Sequence, residues 1–187
     1  IVYGGSSRKV KRNFQIGNKI LINWKSKNEN KMGYFSVELI EPVAPYFFDD
    51  KKRSICILAA SSLLKILLPE RQINKKIYES FDKLISDLKE INWIKLYIYW
   101  ELSIIKELGF EVNFLNIDKN VSNKTIQING KEIKVPPLLM NNNSVKNTDA
   151  EINEALSFNK TLLLENIISP NRLKFPLSRN ILEKYYN

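Results

Sequence analysis

Apolar and polar residues alternate with period two near the start of the chain and follow a helical period from about residue 49. In "KILINWKS" the apolar positions Ile20, Ile22 and Trp24 fall on every second residue. In "KMGYFSVELIEP" Tyr34 or Phe35, Val37 and Leu39 do the same, which is the pattern of half-buried strands. "KNEN" between the two runs supplies turn chemistry, so they are expected to pair as a hairpin. "IVYGG" reads as the end of an earlier strand, and residues 1–42 read as β throughout. Two or three strands bury too little to stand alone, so this unit is either incomplete or leans on the helical residues C-terminal to it.

The helical part opens where Asp49 or Asp50 can cap "KKRSICILAASSLLKILL", and Pro69 stops it. A second helix is predicted from about Ile73 to Glu90, with Ile77, Phe81, Leu84, Ile85 and Leu88 on one face. The third, from about Asn92 to Leu108, is apolar nearly all round and ends at Gly109, as the centre of a bundle would. Trp93, Tyr97 and Trp100 on it read as packing, and Cys56 as a small core residue. Residues 110–148 read as an irregular insertion containing a hairpin, "TIQINGKEIKV", in which Asn129-Gly130 suits a type I′ turn. "NNNSVKNTD" comes next as a loop, and helical stretches at about 150–168 and 177–186 close the chain.

Charge changes the picture. The 187 residues carry a formal charge of +9. Residues 1–34 hold eight basic side chains against Glu29 alone, a surplus of seven, while the remaining 153 residues carry 21 bases and 19 acids, a surplus of two. Compositional bias would spread lysine evenly. A localised cluster is the electrostatic footprint of a phosphate-backbone binder. Tyr3, Phe14, Trp24 and Tyr34 fall among these charges. In a single-strand binder such rings stack on bases for about 1–3 kcal/mol each; otherwise they fill the core of a small barrel. Trp24 suits either role, whereas Phe14 and Tyr34 read as core. Gly4 and Gly5 read as a bend. Lys75, Lys76, Lys83 and Lys89 read as solubilising charges that could also rim a groove for an acidic peptide.

Absences narrow the chemistry. With no histidine and one cysteine, the chain can build no Ser-His-Asp or Cys-His nucleophile, no His or Cys zinc site and no internal disulfide. It has no Gly-rich phosphate loop, and most of its carboxylates alternate with lysine as solvated partners on helix faces. These features argue against an enzyme and require no cofactor or metal. The opening residues lack a signal peptide's apolar core. "INWIKLYIYWELSIIKELGF" is interrupted by Lys95, Glu101 and Lys106, unlike a membrane span. A cytoplasmic protein that does not engage membranes is expected.

Taken in order, these segments resemble the RecO family of recombination mediators. The resemblance rests on "GG-x-S-R" and "Q-x-G-N" near the start, "VELIEP" closing the β unit and the "L-L-P-E-R" junction. It continues through the helix with Trp93, Tyr97, Glu101, Leu102, Glu107, Leu108, Gly109 and Phe110, and the terminal Pro176, Arg179 and Leu182. It implies an α+β fold: an OB-fold-like antiparallel β unit over residues 1–44, incomplete because the family's first strands are missing. An all-helical domain over 45–187 comes after it, with the hairpin insertion at about 110–148. It implies a protein that works in the RecFOR pathway of DNA repair and recombination. Such a protein binds and anneals single- and double-stranded DNA, engages RecR and the C-terminal tail of single-strand-binding protein, and so helps to load RecA.

Carried onto this sequence, Arg8, Lys9, Lys11, Arg12, Lys25 and Lys27 would contact phosphates and Trp24 would stack. There are departures. Ser6 stands where a basic residue is usual, and Ile16 replaces the usual proline. "LGFEVNFLNIDKN" has none of the cysteines, zinc-binding in some members, found there in the family, so the insertion must hold by its hairpin alone. The competing readings are a helical scaffold that grips acidic tails without binding DNA, and an RNA-binding accessory protein, since OB-folds serve there too.

Overall fold

A computed structural model of the chain describes residues 2, 3, 5, 7–26, 28, 33–110, 125–140 and 147–187. Strands β1 (Lys19–Lys25) and β2 (Tyr34–Glu41) form the expected antiparallel hairpin. Cross-strand pairs Ile20–Leu39, Ile22–Val37 and Trp24–Phe35 gather six apolar side chains on one face. The register shifts between Lys19 and Ile20, leaving Ile40 as the extra residue of a bulge. Val2 makes a lone parallel bridge to Phe35, and the Tyr3 N–H donates to the Phe35 carbonyl at 2.8 Å.

The opening segment is not β throughout. Residues Arg8–Asn13 form a short helix, α1. "RKVKRN" has no period-two alternation, its straight-chain bases are good helix formers, and the Ser7 hydroxyl caps it by accepting from the Val10 N–H at 3.3 Å. Phe14 and Tyr34, expected in a core, are 42% and 40% exposed, because the described residues lay no second layer over the hairpin.

The helical part follows the apolar periodicity closely. Helix α2 (Lys51–Leu67) is capped by Asp50, whose carboxylate accepts from the Arg53 N–H at 2.9 Å. Burial alone would raise the Asp50 carboxyl, but the hydrogen bonds from the Arg53 backbone and guanidinium outweigh it, and it lies below the usual carboxylate range. A depressed carboxylate stabilises above its unfolded pKa and loses that contribution as pH falls through the folded value. Asp50→Ala is therefore expected to cost about 1 kcal/mol near neutrality, and the gap from wild type to close below about pH 4 in urea titrations.

Arg53 also donates to the Leu88 and Glu90 carbonyls, at 2.5 and 3.1 Å, and lies over the Trp93 ring. One guanidinium thus ties the start of α2 to the end of α3 (Lys75–Asp87) and the start of α4 (Trp93–Glu107). Helix α4 runs through the centre with Trp93, Tyr97, Ile98, Trp100, Ile104 and Ile105 buried, and Gly109 ends it at φ 92°. Cys56 is buried in the same core, which pushes its thiol well up.

The second hairpin pairs β3 (Thr125–Ile128) with β4 (Lys131–Lys134), and Asn129 and Gly130 turn it at φ 49° and 79°. It does not hold by itself. Ile128 and Val135 enter the core, Asn129 donates to the Glu165 carbonyl at 3.1 Å, and Lys131 pairs with the Glu165 carboxylate at 2.6 Å. A short α5 (Pro137–Met140) seats Leu138 in the core. The rest of the insertion, residues 111–124 and 141–146, lies outside the described residues and includes most of the loop predicted at 141–149. Helix α6 (Asp149–Leu163) opens with a capping box between Thr148 and Glu151 and widens into a π turn at Leu164–Ile168. Helix α7 (Leu177–Lys184) packs along α2.

Not every carboxylate is a solvated partner. Glu101 on α4 and Arg179 on α7 are 1% and 0% exposed and form a two-point ion pair, Nε to Oε1 at 2.5 Å and Nη2 to Oε2 at 3.1 Å. Tyr97 Oη donates to Oε1 at 2.6 Å, Asn159 Nδ2 donates to Oε2 at 3.1 Å, and Arg179 also donates to the Leu156 carbonyl at 2.7 Å. Burial alone would lower the Arg179 pKa, but Glu101 and Tyr97 outweigh it and the guanidinium is held above its ordinary value. Three helices are stitched together at this point.

Candidate nucleic-acid interface

Helix α1 places Arg8, Lys11 and Arg12 at the surface, with Lys11 and Arg12 in its last turn. Basic side chains there complement the partial negative charge at a helix C-terminus. Lys9 belongs to the same helix, its side chain undescribed, and Lys27 lies outside the described residues. The helix packs beside β2, so its charges are attached to the hairpin rather than trailing from it.

The hairpin separates two residues that sequence reasoning put together. Trp24 is 53% exposed, its ring 4.7 Å from that of Phe35, on the apolar face. Neighbouring residues of a strand point to opposite sides, so Lys25 belongs to the other face, opposite Tyr34, whose ring lies 5.3 Å from that of Tyr3. Gly33 leaves room for the indole, since a Cβ there would overlap it. The hairpin thus offers an aromatic pair on each face, each with area to stack a base.

Sequence reasoning missed the residues that set this unit against the helices. Gly17, at φ 94°, lies so close to α2 that an added Cβ would meet Ile57 Cγ2 at 2.8 Å. The Asn18 amide donates to the Asn13 carbonyl at 3.4 Å, and its Oδ1 accepts from the Ala44 N–H at 3.0 Å. That one side chain clasps the end of α1 to the exit of β2. Lys19 Nζ reaches both Asp82 oxygens on α3, at 2.8 and 2.9 Å, a bond that raises the Lys19 pKa. The "Q-x-G-N" motif was the available signal, and its work here is docking.

Among the described residues no group of three or more His, Cys, Asp or Glu side chains is gathered as a metal site, and no helix is long and apolar enough to cross a membrane. Residues 49–127, from the cap of α2 into β3, match the family described as Recombination protein O C terminal.

Over these residues the chain is similar to the RecO family.

Relatives agree. The chain is 30% identical over 122 residues to a protein of Ehrlichia chaffeensis named DNA repair protein RecO, covering 64% of this chain and 50% of the relative. It is 35% identical over 102 residues to one of that name from a Wolbachia of Drosophila simulans, covering 54% and 42%. Against that of Rhodospirillum centenum it is 25% identical over 114 residues, covering 61% and 46%. The chain spans about half the length of the curated relatives it matches. No solved structure matches it. The RecO match falls on the helical part, while α1 and the first hairpin precede it. The case for these as an interface rests on their own charge and rings.

Proposed function

We propose that this chain is a cytoplasmic DNA repair and recombination mediator that acts by binding rather than by catalysis. In this reading residues 1–44 hold single- and double-stranded DNA and promote annealing. Residues 45–187 carry surfaces for RecR and the C-terminal tail of single-strand-binding protein, and so assist the loading of RecA. The observation that carries it is that four of the eight basic residues of the first 34 sit on α1, fixed beside a hairpin with two exposed aromatic pairs. The relatives' shared name points the same way.

The test is salt dependence. Each phosphate neutralised on a single strand contributes about −0.7 to the slope of log affinity against log salt. Replacing Arg8, Lys9, Lys11 and Arg12 together with alanine should make the slope shallower by roughly 3 and weaken binding at every salt concentration. Unchanged affinity and slope would refute the reading. Tighter binding of structured RNA than of DNA would move the chain to the RNA-accessory alternative.

A further inference from the structure

A cleft of about 190 Å³ separates the base of the first hairpin from α3. Its inner wall is apolar, formed by the buried Val43 and Phe47 with the half-buried Phe81 and Ile85. Two tyrosines also line it, Tyr46 at 63% and Tyr78 at 58% exposure. Neither ring is consumed by the core. Lys89 Nζ lies 5.2 Å from the Tyr46 ring centroid, a cation–π contact at the edge of the cleft that an entering ring would share or displace.

The charges of the cleft decide what it suits. Lys19 and Lys89 face Glu41 and Asp82, so the lining is neutral, and Lys19 is already engaged by Asp82. Such a lining neither concentrates an acidic peptide nor holds a phosphate. It does fit a flat, uncharged ring with polar edges, because the Glu41 carboxylate and the Ser86 hydroxyl provide hydrogen-bonding groups beside apolar walls. Asn18 is bonded to Asn13, the last residue of α1. The basic last turn of that helix therefore ends beside the cleft, and a strand whose phosphates follow α1 arrives at its mouth.

We propose that the cleft receives one unstacked base of a single strand, between Tyr46 and Tyr78, and that it gives the chain a preference for single-stranded over duplex nucleic acid. The proposal rests on the nucleic-acid reading of α1. A paired and stacked base cannot enter, so the duplex keeps only the phosphate contacts.

The experiment compares oligo-dT, an abasic oligomer and a duplex, all of one length, by fluorescence anisotropy on the full chain. Wild type should bind oligo-dT more tightly than the abasic oligomer by more than about fivefold, the least expected of a single stacked base. Tyr46→Ala with Tyr78→Ala should narrow that difference by about five- to a hundredfold, the range for one stacked base, and leave duplex affinity and salt slope unchanged, while Tyr46→Phe with Tyr78→Phe keeps it whole. Both positions are exposed, and an unchanged urea midpoint verifies the fold. An alanine pair that binds oligo-dT like wild type, or that loses duplex binding equally, overturns the cleft assignment. So does an acidic Phe-terminated peptide that depends on these tyrosines while oligo-dT does not. Weakened binding by the α1 variant, with the alanine pair behaving as wild type, would sink the cleft and spare the function. An α1 variant that binds like wild type would sink the function itself.

Discussion

Glu101→Leu, with Arg179 left in place, should lower stability by about 3–5 kcal/mol, the usual cost of stranding one member of a buried ion pair. The guanidinium would keep only the Leu156 carbonyl and the partly buried Glu183 as partners. Tyr97 and Asn159 would each lose an acceptor at the same site. Arg179→Met should cost a similar amount. The double variant should recover most of the loss, since well-packed apolar replacements for a buried pair are often neutral or better. Urea midpoints of the four proteins close the double-mutant cycle; additive losses would show that the pair is not coupled. The sign of the pH dependence comes from Arg179. Its pKa is raised in the folded state, so its contribution is complete below the ordinary, strongly basic arginine value and is lost only as pH climbs through the higher folded one. From this guanidinium the cycle should gain no pH dependence between neutrality and about pH 10.

Gly17→Val is expected to be the second-largest disruption, and of a different kind. A positive φ costs a branched residue about 1–3 kcal/mol, and overpacking against α2 adds about 1–3 kcal/mol, since even a Cβ would meet Ile57 Cγ2 at 2.8 Å. The strain falls at the joint between hairpin and helices, next to the Asn18 clasp and the Lys19–Asp82 pair. The first hairpin should therefore detach before the helices unfold. Hydrogen exchange would show lost protection in β1 and β2 with α4 and α6 still protected. Uniform loss across the chain would show that the two parts unfold as one unit and that the joint is not a separate point of weakness.

Much of this architecture is legible in residue patterns because the forces behind it are local. The Asp50 cap, the Pro69 stop, the apolar girth of α4, its glycine end and the Asn129-Gly130 turn each depend on residues a few positions apart. Helix α1 is masked in the pattern because nearby aromatics and flanking strand signals suggest β, whereas "RKVKRN" itself carries no alternation. Trp24 and Lys25 group together by adjacency along the strand, and the pleat divides them.

By itself, then, the sequence determined helices α2, α3, α4, α6 and α7, the two hairpins, the absence of histidine chemistry and the crowding of positive charge into the first 34 residues. Those depend on composition and short-range spacing. Only the tertiary structure decided that Glu101 meets Arg179, 78 positions away, and that Lys19 crosses to Asp82, 63 positions away. It also decided that Tyr46 and Tyr78 face one cleft. A charge that is solvated on a helix surface and one that is locked in the core look alike in the chain. What distinguishes them is the packing of distant helices, which sets whether water or a partner side chain satisfies each group.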